Sequence, residues 1–177
     1  MSTDFSQDFF SLFNLPRRFA IDGPALEHAW RTAAAQVHPD RYASSSDAEK
    51  RSALMQATRV NEAYQTLKSP LNRARYLLTL SGVDTQEDTN TQMPAAFLMA
   101  QMEWRENIED ARAGGELERL EMLSRQLRDE SRAHQAELEQ ALDQRADLDA
   151  AALLVRKLRF LEKLDQEIGD AIEALLD

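Results

Sequence analysis

The chain has 177 residues, with 21 Lys+Arg against 31 Asp+Glu and a formal charge of −10. That excess of acid argues against a general nucleic-acid-binding role, which needs a basic surface to displace counterions, and no apolar run approaches the roughly 20 residues that span a bilayer. With no cysteine, disulfides, thiolate ligands for zinc or iron–sulfur clusters and cysteine nucleophiles are all excluded.

Before Arg17 there are acidic residues and no basic one, the wrong sign for a signal or transit peptide, so a cytoplasmic location is expected. Phe9, Phe10, Leu12 and Phe13 crowd a short helix that must end before Pro16. Asp22, ahead of Gly23 and Pro24, is placed to cap a second helix with Pro near its first position. Leu26, Trp30, Ala33 and Val37 recur at helical spacing, and the helix stops at His38-Pro39, because proline disfavours the α conformation of the residue before it. After a Ser-rich loop over 43–46, Ser46 or Asp47 caps a third helix, whose stripe is Ala57, Val60, Tyr64 and Leu67. Ser69-Pro70 opens a fourth. The expected arrangement is two long antiparallel helices with His38-Pro39-Asp40 exposed at the hairpin tip.

Residues 81–92 are polar and lack apolar periodicity, which marks a linker. Up to residue 80 the chain holds 10 Lys+Arg and 8 Asp+Glu, net +2; from 81 onward it holds 11 and 23, net −12. Three helices are expected beyond it, near 94–112, 115–144 and 147–176, because the 53 residues from Glu116 to Ile168 without Gly or Pro are too many for one helix of a compact domain. Asp147 or Asp149 is the candidate cap at the break. Leu117, Leu120, Leu123, Leu127, Leu138 and Leu142 line the middle helix, and Leu154, Leu158, Leu161, Ile168, Ile172 and Leu175 the last, as the core of a three-helix bundle. No alternating Val/Ile/Thr-rich segment supports a strand, so the fold class is all-α.

On its residues alone, His38-Pro39-Asp40 is compatible with a plain helix stop, a His–Asp catalytic dyad or half of a metal site. The other histidines, His28 and His134, offer no ligand spacing to His38, and no nucleophile accompanies the dyad. The first bundle helix leaves a similar choice open. At about 100° per residue, Phe97, Trp104, Ile108 and Ala111 share one face, whereas Leu98, Met99 and Met102 lie 100° to 200° away with Glu103, Glu106, Glu109 and Asp110 around them. That second face is either additional core or a partner-binding surface with adaptable Met side chains and a charged edge.

Taken together, the short aromatic first helix, His38-Pro39-Asp40 at the tip, Asn61-Glu62-Ala63-Tyr64 on the third helix and Arg73-Ala74-Arg75-Tyr76 on the fourth resemble the J-domain of the DnaJ co-chaperone family. The resemblance implies a J-domain over 1–80, docking through His38, Pro39, Asp40, Arg41 and Arg31 on an ATPase chaperone of the heat shock protein 70 class and triggering its ATP hydrolysis. The chain itself would be no enzyme. Arg41 stands where the family usually has Lys, and the second helix is poorer in cations than is common there.

Ala96-Phe97-Leu98-Met99 at the start of the bundle and Val155-Arg156-Lys157-Leu158-Arg159-Phe160-Leu161 in its last helix are similar to the HscB family, the specialised J-domain co-chaperones of bacterial iron–sulfur cluster assembly. This implies that the bundle, 93–177, binds a scaffold protein of the IscU type and delivers it to a chaperone of the HscA type. The positions carried over for scaffold binding are Leu98, Met99, Met102, Glu103, Glu106, Asp110 and Phe160. The cysteine-rich extension of some eukaryotic relatives is lacking, which favours a bacterial type. The resemblance implies no cofactor or metal for this chain; the acidic charge and the short apolar runs leave no nucleic-acid or membrane partner expected, and a monomer is expected.

Overall fold

The structure is a computed structural model that describes residues 7–87 and 92–176. Its helices are α1 (Phe9–Leu12), α2 (Gly23–Gln36), α3 (Asp47–Lys68), α4 (Pro70–Leu80), α5 (Ala95–Ala113), α6 (Leu117–Glu139) and α7 (Leu148–Leu176), with a one-turn 3₁₀ helix over Pro39–Tyr42 and a π turn over Gln140–Gln144. Among the described residues there is no strand, and the all-α fold read from the sequence is the fold found. The chain divides into two compact units, Met1–Ser81 and Gly82–Asp177.

In the first unit, α2 and α3 form the hairpin, and its core is Phe10, Leu26, Val60, Ala63, Leu67, Ala74 and Leu78, all 3% exposed or less. Asp22 accepts from the Ala25 N–H at 3.0 Å and caps α2. At the start of α3 the capping residue is Ser46, not Asp47: its hydroxyl accepts from Glu49 N while the Glu49 carboxylate accepts from Ser46 N, a reciprocal capping box. These bonds from Ser46 hold the Glu49 carboxyl below its ordinary value. A depressed acid stabilises the fold above its unfolded-state pKa and loses that contribution as pH falls through the folded value. Ser46→Ala is therefore expected to flatten the acid limb of the stability–pH curve below about pH 4.5, read from urea midpoints.

The residues that carried the J-domain resemblance have physical work in the first unit. Asn61 accepts from Trp30 Nε1 at 3.0 Å, and the Tyr64 ring stacks on Trp30 with centroids 4.4 Å apart, so both fasten α2 to α3. Ala63 is fully buried. Arg73, itself buried, donates from Nε to Phe19 O and from Nη1 to Leu67 O, each at 2.7 Å, while its guanidinium covers the Phe19 ring. Tyr76 stacks on Phe9 and its hydroxyl accepts from Phe9 N at 2.9 Å. Burial raises the Tyr76 pKa above its ordinary value, so the hydroxyl stays protonated through the neutral range.

The second unit is built on the α6–α7 hairpin. Leu120, Leu123 and Leu127 of α6 meet Leu161, Leu164, Ile168 and Ala171 of α7, and Ile108 and Ala111 of α5 close the same core. Leu164→Ala, at a fully buried position, should cost about 2–5 kcal/mol through lost transfer energy and the cavity left behind, measurable as a fall in the denaturant midpoint.

Between α5 and α6, Gly115 takes φ +64, and Gly115 N and Glu116 N bond back to Arg112 O and Ala111 O. This double closure ends α5 and needs a residue tolerant of the left-handed conformation. At the other turn Asp147, rather than Asp149, caps α7, accepting from Ala150 N at 3.0 Å.

The leucine stripe reads less cleanly than its spacing. The π turn inserts an extra residue into the helical repeat, so Ala141 is buried while Leu142 is only half-buried. Leu117 also sits at the margin, and Leu175, expected in the core, is 39% exposed in the last turn of α7. Ala151, Val155 and Leu164 fill positions that the stripe omitted. Part of the expected linker is anchored as well: Arg156 Nη1 donates to Thr85 O at 3.1 Å. Residues 88–91 of that linker lie outside the described residues.

Candidate functional site

Two surfaces carry the candidate residues, one in each unit. At the hairpin tip of the first unit, Val37 is buried at the end of α2, and His38 turns the chain into extended backbone (φ −61, ψ 134) ahead of Pro39, which opens the 3₁₀ turn. His38 Nδ1 accepts from Asp40 N at 3.3 Å. The Asp40 carboxylate lies 3.6 Å from the same Nδ1, with side-chain exposures of 59% for His38 and 92% for Asp40. The two polar groups therefore stand in solvent on a turn fixed by a ring and by backbone bonds.

The next two residues tie the turn to α2. Arg41 Nη1 donates to Ala35 O at 3.5 Å, and the Tyr42 hydroxyl donates to Gln36 O at 3.3 Å. Both oxygens belong to the last turn of α2, where carbonyls lack helical donors and a cation meets the negative end of the helix dipole. Sequence reasoning gave Arg41 only its charge and passed over Tyr42; the sequence signal was the placement of a cation and a hydroxyl just past a proline-stopped helix. Arg31 lies on the exposed side of α2, where Glu27 one turn earlier accepts from its guanidinium. That pairing cancels much of the Arg31 field locally, and solvent screens the remainder.

In the second unit, Phe97, Ile108 and Ala111 bury one side of α5, and Trp104 Nε1 donates to Glu130 Oε2 of α6 at 3.2 Å. With the helix pinned in that rotation, Leu98, Met99 and Met102 stand 42%, 65% and 72% exposed. The alternative that they are additional core is thus removed. Glu103, Glu106, Glu109 and Asp110 are exposed along the same helix.

Phe160 of α7 is half-buried. It packs edge-on against Phe97, with centroids 5.8 Å apart and the planes at 79°. The Arg105 guanidinium lies 5.6 Å from the centre of the Phe160 ring, and Lys157 Nζ lies 5.5 Å from that of Phe97. Arg105 was not among the candidates, although it falls seven residues after Leu98 and three after Met102, on the same face; a search for apolar and acidic residues passes over it. Six of the seven bundle candidates thus lie on the exposed arc of α5, and Phe160 is joined to that helix through Phe97 and Arg105. Among the described residues no group of three His, Asp or Glu side chains is arranged to hold a metal.

Residues 8–76 match the family model described as the DnaJ domain, and residues 93–169 match the one described as the HSCB C-terminal oligomerisation domain. A co-chaperone protein HscB homolog of Chromobacterium violaceum is 78% identical over 177 residues, the whole of both chains. This chain belongs to the HscB family of J-domain co-chaperones. A second HscB homolog, of an Azoarcus species, is 55% identical over 175 residues, 99% of each chain. Among solved structures, the chaperone HscB from Vibrio cholerae matches with TM-score 0.84 at 36% identity, over 96% of this chain and 99% of that one. Human co-chaperone HscB matches with TM-score 0.88 at 29% identity, over 94% and 82%. A J-domain followed by the HscB C-terminal domain is thus the arrangement of this chain. Membership implies a heat shock protein 70 class chaperone as a partner, and among the described residues no helix is long and apolar enough to cross a membrane.

Proposed function

We propose that this chain binds an IscU-type iron–sulfur scaffold protein through the exposed face of α5, delivers it to an HscA-type chaperone and stimulates that chaperone's ATPase through the His38–Asp40 turn. The observation that carries the reading is the face itself. Three large apolar side chains remain in solvent on a helix whose opposite side is already packed, within a rim of carboxylates, in a chain of the HscB family. A surface of this kind gains free energy by being covered, and its rim favours a partner of positive charge.

The division of labour follows from the chemistry of each surface. Leu98, Met99 and Met102 supply adaptable apolar contact; Glu103, Glu106 and Asp110 supply charge selection; Phe160 extends the apolar area under Arg105. At the other surface, Pro39 restricts the turn before docking and so reduces the entropy lost on binding, while His38 and Asp40 offer directional polar contacts. Arg41 contributes a cation beside them, and Arg31, paired with Glu27, contributes less. Phosphoryl transfer takes place in the partner, and the chain acts on it as an allosteric ligand, as a cytoplasmic bacterial protein without a cofactor of its own.

The test mixes the full chain with purified chaperone and scaffold of these types. ATP turnover should rise with the chain alone and rise further when the scaffold is added, and the chain should form a 1:1 complex with the scaffold by isothermal titration calorimetry. Binding to neither protein would overturn the reading.

A second reading keeps the J-domain as a general targeting factor and gives the bundle to self-association or to another client. It has one observation in its favour, the description of the matched C-terminal family as an oligomerisation domain. Light scattering across a concentration series separates the two: the first reading expects a monomer throughout.

A further inference from the structure

Beside the His38–Asp40 turn lies a small apolar pocket of about 320 Å³, lined by Pro39, Tyr42, Ala43, Lys50, Ala53 and Leu54. Ala53 forms a buried floor, whereas Leu54 is 62% exposed although it is large and apolar. On α3 Leu54 lies four residues after Lys50, so the two are neighbours on one side of the helix. Among the described residues Lys50 has no carboxylate within ion-pairing distance. Tyr42 cannot swing away to fill the space without giving up its bond to Gln36 O. The pocket is thus preformed, open, apolar at its base and positive at one edge.

We propose that this pocket receives an apolar side chain, flanked by a carboxylate, of the same ATPase chaperone that docks on the turn, and that Leu54 and Lys50 set the affinity of that docking. The occupant follows from continuity: Pro39 is at once a wall of the pocket and the centre of the turn, so a protein that covers His38 and Asp40 covers the pocket mouth as well. It follows also from charge, since the Lys50 ammonium, which has no carboxylate partner among the described residues, offers a carboxylate the complement that Arg31 has already given to Glu27. The proposal rests on the J-domain reading above, and it assigns two separate tasks. The turn governs how fast bound ATP is hydrolysed; the pocket governs how much co-chaperone is needed to reach that rate.

The experiment titrates full-length parent, Leu54→Asp, Met55→Asp and His38→Gln chains against the chaperone and follows ATP turnover. Met55 is 74% exposed and does not line the pocket, so Met55→Asp controls for a new charge on α3. Leu54→Asp is expected to raise the concentration for half-maximal stimulation by about tenfold or more, the scale of a desolvated contact, with the maximal rate unchanged, while Met55→Asp behaves as the parent. Matching melting temperatures confirm that Leu54→Asp folds, and a Leu54→Ala chain with an intermediate shift covers the case in which it does not. Should the parent stimulate and His38→Gln fail to, while both Leu54 variants titrate like the parent, the pocket proposal falls and the J-domain reading stands. If the parent stimulates no chaperone of the class, the J-domain reading falls first.

Discussion

A His38→Gln chain is expected to bind scaffold with the affinity of the parent and to leave the chaperone's ATPase at its basal rate, a complete loss of stimulation at every concentration. The side chain is 59% exposed, and its polar contacts among the described residues are both with Asp40: the 3.3 Å bond that Nδ1 accepts from Asp40 N and the carboxylate 3.6 Å from the same nitrogen. Stability should therefore stay within about 0.5 kcal/mol of the parent, as for ordinary surface substitutions. Glutamine is similar in length and polar, but it places a flexible amide where a rigid ring stood and loses the defined pair of ring nitrogens. Pro39 and the Arg41 and Tyr42 bonds to α2 hold the backbone of the turn in either chain, so the loss reports the imidazole and not a collapsed loop. Single-turnover ATP hydrolysis measures the effect, and calorimetric titration with scaffold supplies the control. Loss of both activities from a folded protein would mean that the two surfaces do not act separately.

Comparing expectation with structure, the elements written most plainly in the chain were those with local physical causes. Asp22 before Gly23-Pro24 and the proline stop at 39 fix α2 to within a residue or two, because capping and the missing proline N–H act over a single turn. The fold class followed from the lack of alternating apolar residues. Less legible were features that depend on how helices meet. Leu142 and Leu175 have the right spacing for the core, yet a π turn displaces the first and the second is 39% exposed in the last turn of α7. Ala63, Ala141 and Ala151 are fully buried, but a small side chain gives a weak periodic signal.

The candidate sites divide in the same way. The exposed arc of α5 was legible because one helix at 100° per residue fixes which side chains share a face. Whether Leu98 and the methionines were core or surface depended on where α6 and α7 lie, which no local pattern encodes. Arg105 against Phe160, Tyr42 against Gln36 O and Leu54 beside Pro39 each join residues that are far apart in sequence or unlike in type, so motif reading did not pair them.

For the bundle, the substitution with the largest expected effect is the triple change Leu98→Ala, Met99→Ala, Met102→Ala, which should weaken scaffold binding by at least about a hundredfold, as expected when several clustered anchors are removed together. All three side chains already stand in solvent, and alanine is the better helix former, so the melting temperature should not fall. Phe160→Ala makes an instructive contrast. Its ring packs on Phe97 and carries Arg105, so truncation removes internal contacts as well as partner contact, and a loss of binding must be read beside a loss of stability. Charge is separable from both. Replacing Glu103, Glu106 and Asp110 with the matching amides keeps the shape, and should slow association and reduce its salt dependence while changing the dissociation rate little, since rim charges act mainly through steering. ATPase stimulation measured without scaffold should be unchanged in every one of these chains, because none of the altered residues belongs to the Met1–Ser81 unit. A triple variant that bound scaffold as the parent does would move the client site off α5 and revive self-association as the use of that face, which the light-scattering series would then reveal as a dimer dissociated by the same three substitutions.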